Sequence, residues 1–418
     1  MQILQNRKFT FFLWSFTAAF LAYASMYAFR KPFNAATYEA YTVWGMPLKG
    51  VLVMSQIFGY MMSKFIGIKV ISELTKGQRI KLILGLILSA HIALLCFATV
   101  PLHWKFIFLF LNGIPLGMVW GVIFSFLEGR KLTELVATGI AIGAIVSSGV
   151  VKTIARYLMD NPIFSVQEFW MPFSTGLLFL PILLLAVWML SKIPDPSTDD
   201  IQQKTRRKPL MGKERRKLLM AFLPGIASLV LLYVGLTVFR DFRDNYAVEI
   251  LEHFHYTNAS LFANMELVIA AIVLGTSSLT VLFRNNKMGF NFCLALFASG
   301  FLVMLLTLGL FNAGKISAYQ LVLYSGLGMA IGYVPFQIVL LERFIAAFRI
   351  NGNVGFLMYL ADSIGYLGSV GLILLNGAQV FVLPEYQLFK HLILICGLSG
   401  LVLTAFAYLY FRRAAKGV

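Results

Sequence analysis

Apolar residues fill this chain in long runs, and polar residues are confined to the gaps between them. The runs are about 20 residues long, the helix length that the hydrocarbon core of a bilayer demands. They fall at 9–29, 50–71, 82–101, 105–127, 136–158, 170–191, 218–240, 261–283, 289–311, 318–340, 353–376 and 389–411, which predicts twelve transmembrane helices. The first, second and seventh are expected to continue past their apolar cores. Strict polar/apolar alternation, the mark of a membrane β-barrel, does not occur. The run from Phe9 to Phe29 is too long for a signal-peptide core and has no evident cleavage site, so it is expected to remain as a helix.

One long polar stretch, KIPDPSTDDIQQKTRRKPLMGKERRK at 192–217, divides the runs six and six. The predicted organisation is a six-helix bundle over 1–191, a basic cytoplasmic linker over 192–217 and a second six-helix bundle over 218–418. The halves repeat: Leu116, Gly117, Met118 and Gly121 recur as Leu327, Gly328, Met329 and Gly332, an offset of 211. Two like halves in parallel are a transporter architecture, with the substrate site between repeats near the bilayer midplane. Gly113, Gly117 and Gly121, with Gly328 and Gly332 in the other half, are spaced for close helix packing.

Composition agrees with a polytopic membrane protein. The chain is 59% hydrophobic and 13% charged, with mean hydropathy +0.80, where a soluble domain is about 25% charged. The net charge of +17 resembles a nucleic-acid signal, but its distribution follows the positive-inside rule. With the N-terminus cytoplasmic, 24 of the 35 Lys and Arg fall on the inner side, among them Arg7, Lys8, Arg79, Arg130, Lys131, Arg284, Arg349 and Arg412. The opposite loops carry Glu39, Asp160, Glu168, Glu249, Glu252 and Glu385. Both termini are therefore expected in the cytoplasm. No nucleic-acid partner is expected, and the basic linker is expected to be a solvated connector that obeys the positive-inside rule, with binding to anionic lipid headgroups as the alternative. Cys96, Cys293 and Cys396 share no ligand-like spacing, so neither metal nor cofactor is expected. No phosphate-cradling loop or nucleophile elbow occurs, and no enzyme activity is expected.

Charged residues inside apolar runs carry the candidate chemistry, because a charge in the membrane is costly and usually faces a cavity or ligand path. Arg30 and Arg240 each end a Phe-Arg pair on the first long helix of their half, 210 residues apart. A guanidinium matches phosphate or carboxylate through a two-pronged fork. The competing readings are an interfacial arginine for Arg30 and an ion pair with Asp241 or Asp244 for Arg240. Lys64 is a second candidate cation. Asp362 is a candidate counter-ion for the arginines or a proton carrier, and Glu266 a candidate coupling acid. Tyr23, Tyr27, Tyr366, Gln56 and Gln337 are candidate cavity polars.

The stretch Arg30-Lys31-Pro32-Phe33, followed by Gly59 and Ser63-Lys64-Phe65, resembles the organophosphate:phosphate antiporters of the major facilitator superfamily, which include the glycerol-3-phosphate and hexose-phosphate transporters. Arg240 and Gly365-Tyr366-Leu367-Gly368 extend the resemblance to the second half in islands. The resemblance implies a monomeric, alternating-access carrier in which Arg30 and Arg240 clamp an oxyanion, with Lys64 lining the cavity. Two positions depart from the family: helix five has no histidine, and Asp362 stands where the family is neutral.

The expected function is secondary transport of a small organic anion, an organophosphate exchanged for phosphate in the reading closest to the resemblance. Two alternatives stay open on the residues: a proton-coupled permease or exporter using Asp362 or Glu266, and a transport-inactive receptor or assembly factor.

Overall fold

The structure, a computed structural model, describes residues 2–72, 74–127, 133–194, 212–283, 285–348, 354–377 and 383–414. Arg130, Lys131, Arg284, Arg349 and most of the predicted linker lie outside the described residues. Thirteen α-helices are found among those described. The first six are α1 (Gln2–Arg30), α2 (Leu48–Ser72), α3 (Arg79–Thr99), α4 (Lys105–Leu127), α5 (Thr133–Asp160) and α6 (Met171–Ser191). The rest are α7 (Gly212–Glu252), α8 (Ser260–Ser278), α9 (Asn286–Asn312), α10 (Ala318–Pro335), α11 (Leu341–Ala347), α12 (Val354–Gly377) and α13 (Glu385–Ala414). A π-helical turn, Phe336–Leu340, joins α10 to α11, so the run predicted over 318–340 is α10 and that turn together.

The helix ends follow local chemistry. Asn285 caps α9 through the Lys287 N–H at 2.9 Å, and Ser317 with Gln320 forms a reciprocal capping box on α10. α7 continues past its apolar core, as expected of the seventh run, and reaches Glu252. It breaks helical geometry at Phe222 (φ −125°, ψ 21°), two residues before Pro224, whose ring lacks an N–H and crowds the preceding turn. It then runs twelve residues past Arg240, through Asp241, Arg243 and Asp244, because partners inside the fold receive that charged stretch.

Among the described residues, eight helical stretches are long and apolar enough to cross a bilayer, within α1, α3, α4, α6, α7, α8, α9 and α13, and Leu360–Leu375 of α12 is a shorter one. α6 shows how they sort their faces: Leu177, Leu178, Leu184, Leu185 and Trp188 are exposed, while Leu183, Ala186, Val187 and Leu190 are buried. One stripe packs on protein and the other suits lipid.

The chain divides into two compact units, residues 1–205 with 258–267, and residues 206–257 with 268–418. The start of α8 thus groups with the first unit, where the backbone of Ala259 accepts the Thr153 hydroxyl at 2.7 Å. The element starts keep the repeat: α2 begins at 48 and α8 at 260, α4 at 105 and α10 at 318, offsets of 212 and 213.

In the first unit the glycines of α4 form its contact with α2. A methyl group added at Gly113 would fall on the Gln56 carbonyl oxygen, at Gly117 it would lie 2.6 Å from Ser63 Cβ, and at Gly121 it would strike Ile71. In the second unit a methyl group added at Gly328 would lie 2.5 Å from the Gly300 carbonyl oxygen, and one at Gly332 would lie 3.0 Å from the Phe297 ring. Gly365 and Gly368 of α12 lie against Thr237, Val234 and Val238 of α7.

Between α1 and α2 the chain is tied down. A 3₁₀ turn, Pro32–Ala35, leads to a small hairpin, Thr42–Val43 paired with Met46–Pro47. Its two turn residues, Trp44 (φ 54°) and Gly45 (φ 74°), take the positive φ that a tight hairpin needs. Lys49 Nζ donates to the carbonyls of Asn34 (2.9 Å) and Ala36 (2.6 Å), which fastens the turn to α2.

Candidate functional site

In the first unit, Gln56, Tyr60 and Lys64 lie four residues apart on α2 and so share one face. Arg30, the last residue of α1, meets that face. Its guanidinium carbon stands 3.8 Å from the centroid of the Tyr60 ring, and Lys64 Nζ stands 5.1 Å from the same centroid. Arg30 is 7% exposed, so it points into the unit rather than along its surface. Tyr27, one turn earlier on α1, is buried edge-on to Tyr23 at 5.5 Å. The structure therefore brings Arg30 and Lys64 together around one ring. Tyr60 was not among the residues the sequence singled out; its spacing of four from both Gln56 and Lys64 is the signal that marks it.

Half of the Gly-x-x-x-Ser-Lys motif has a packing role. Gly59 is pressed against the Phe110 carbonyl and Ser63 against Gly117, which leaves Lys64 as its charged member. Lys31, Lys49, Lys105 and Lys152 are also buried in this unit. Lys105 Nζ donates to the Phe97 carbonyl at 2.7 Å. On the connection before α6, burial pushes the Glu168 carboxyl up, against the downward pull of Lys49.

In the second unit two linked clusters form. Arg240 pairs with Asp241 (Nη2 to Oδ1, 2.7 Å), and Ser369 of α12 donates to the other Asp241 oxygen at 2.8 Å. The Arg240 guanidinium lies 4.6 Å over the Tyr333 ring, and Tyr366, buried on α12, stands within its electrostatic reach. Asp362 accepts the Tyr233 hydroxyl at 2.5 Å. Gln337, on the π-turn, donates to the hydroxyls of Tyr233 (3.0 Å) and Tyr333 (2.8 Å). Asp362 was expected as a counter-ion for the arginines or as a proton carrier, and the Tyr233 hydroxyl is the hydrogen-bond partner the structure gives it. For Arg240 the structure shows the ion pair with its neighbour Asp241, one of the alternatives the sequence offered. Arg243, a further buried cation, donates to the Val322 carbonyl at 3.1 Å and fills the notch left by Gly326.

Glu266, on α8, is 8% exposed, and its Cγ would lie 2.7 Å from a methyl group at Gly149. Among the described residues no group of three or more His, Cys, Asp or Glu is placed to hold a metal ion.

The chain is similar over nearly its full length to solved transporters. A D-xylose-proton symporter matches with TM-score 0.65 at 13% identity, over 96% of this chain and 97% of that one. A mutant of the peptide transporter POT in complex with alafosfalin matches with TM-score 0.64 at 15% identity, over 95% of each chain. A mutant of the nucleoside transporter NupG matches with TM-score 0.60 at 13% identity, over 96% of this chain and 100% of that one. At such identities the likeness establishes the fold, an all-α polytopic membrane fold of the major facilitator type. No curated protein has a matching sequence. The sequence profile of DUF5690, described as a family of unknown function, matches residues 32–414, and the chain belongs to that family.

Proposed function

We propose that this protein is a secondary active transporter of a small organic anion, working by alternating access as a monomer in the bacterial inner membrane, with both termini cytoplasmic. The observation that carries the reading is the Arg30–Tyr60–Lys64 arrangement, a buried guanidinium and an ammonium gathered on one aromatic ring. Two cations held in a low-dielectric interior attract an anion strongly, and the guanidinium fork favours phosphate or carboxylate. The substrate class it fits best is an organophosphate exchanged for phosphate. Arg240 has the matching position in the repeat, 210 residues on. Fold likeness to sugar, peptide and nucleoside transporters supports a carrier without naming its cargo.

Exchange of labelled phosphate into phosphate-loaded proteoliposomes tests this. Wild-type protein is expected to exchange, and Arg30→Lys to lose most of that activity, since a point charge cannot reproduce the fork. Equal exchange by both proteins would sink the proposal.

A second reading, a proton-coupled permease, is favoured by Asp362. Among the described residues this carboxylate, inside a membrane helix, has the Tyr233 hydroxyl as its partner, and intramembrane carboxylates often carry protons. Under that reading uptake follows an imposed pH gradient and Asp362→Asn abolishes the gradient-driven component; uptake indifferent to the gradient excludes it.

A further inference from the structure

α1 stops at Arg30 within the interior of the first unit, so its last carbonyls need donors that the helix does not supply. The Lys31 N–H reaches the Tyr27 carbonyl at 2.8 Å, and Pro32 has no N–H to give. Two side-chain amides from other helices complete the end. Asn112 Nδ2, on α4, donates to the carbonyls of Phe29 and of Ala90 on α3, each at 3.0 Å. Gln56 Nε2, on α2, donates to the Arg30 carbonyl at 2.8 Å and to Asn112 Oδ1 at 2.9 Å. Each amide nitrogen has two N–H groups, and all four meet an oxygen. Flipping either amide would set oxygen against oxygen, so both orientations are fixed. The pair is dry, with Asn112 0% and Gln56 3% exposed. The absence of a side chain at Gly113 is what lets α2 approach closely enough for this knot.

The same face of α2 that grips the Arg30 backbone through Gln56 also receives its side chain, one turn on, at Tyr60. We propose that Gln56 and Asn112 are positioning residues. They fix the end of α1 so that the Arg30 guanidinium stays over Tyr60 and beside Lys64. The inference rests on the anion-transport reading for its purpose, but the positioning itself is measurable without transport.

The experiment treats the purified full-length protein with phenylglyoxal, an arginine reagent, and follows Arg30 and Arg240 separately by mass spectrometry. Wild type is compared with Gln56→Met and Asn112→Leu. Loss of the knot is expected to raise the Arg30 modification rate about fivefold, a typical coupling between contacting residues, and to leave Arg240 unchanged. Labelled phosphate exchange is measured on the same proteins and in an Arg30→Lys background. The KM rise caused by Gln56→Met should vanish in that background, whereas mere structural damage would persist. An unchanged Arg30 rate in a Gln56→Met protein that keeps the wild-type Tm overturns the inference; should Asn112→Leu fail to fold, Gln56→Met alone decides. If wild type exchanges no phosphate yet Arg30 reactivity rises, positioning stands and the anion reading falls.

Discussion

Tyr60 sets one ring beside two cations, Arg30 and Lys64. Its ring face is electron-rich, so each cation gains from lying near it, by about 0.5–1 kcal/mol at a wet site and about 2 kcal/mol at a desolvated one. Tyr60→Phe keeps that face, whereas Tyr60→Leu removes it. Phosphate binding, measured by calorimetry, is expected to survive Tyr60→Phe nearly intact and to weaken by about 1–2 kcal/mol in Tyr60→Leu. Equal losses would assign the effect to the hydroxyl. Arg30 and Lys64 were legible in the sequence because a charge in an apolar run stands out. Tyr60 and Asn112 were not, since an aromatic or an amide in such a run looks like packing until its partner is known. Asp241 was legible only as one alternative: sequence shows that it adjoins Arg240, but the hydrogen bond from Ser369 that holds it there comes from 128 residues away.

At the scale of elements, the apolar runs placed most of the helices closely, because hydropathy and length are the constraints a bilayer imposes. The seventh run was expected to continue past its apolar core, and α7 does: hydropathy alone stops near Arg240, yet the helix runs to Glu252 with Asp241 and Arg243 buried. Hydropathy counts charges but not the carbonyls, hydroxyls and counter-ions that satisfy them. The glycines of α4 show the opposite case, where spacing in the sequence corresponds to a surface met by another helix. At Gly117 the neighbour is Ser63, adjacent to Lys64. Gly117→Val is expected to overpack that contact, costing about 1–3 kcal/mol of stability and displacing Lys64 from Tyr60. Thermal unfolding in detergent checks the first effect, and a raised KM for phosphate in the surviving fold checks the second. A Tm equal to wild type would show that α2 and α4 tolerate separation.

Over the whole molecule the two units carry their charge differently. Among the described residues of the first, five Lys and Arg side chains are buried, Arg30, Lys31, Lys49, Lys105 and Lys152, against one buried acid, Glu266. In the second, Arg240 and Arg243 are buried or half-buried beside Asp241, with Asp362 close by. The repeat legible in the offsets is therefore a repeat of backbone, with the electrostatics diverged between halves.

The tied connection between α1 and α2 has a practical consequence. Lys49 and the hairpin hold Trp44 at a fixed tip where it is 64% exposed, while Cys293 and Cys396 are buried and Cys96 is partly so. Trp44→Cys would therefore create a well-exposed thiol on a rigid mount. A membrane-impermeant maleimide should label it in sealed, right-side-out vesicles and spare it in inverted ones if the N-terminus is cytoplasmic. The reverse pattern would turn the assigned sidedness over, and with it the direction in which every helix crosses the membrane.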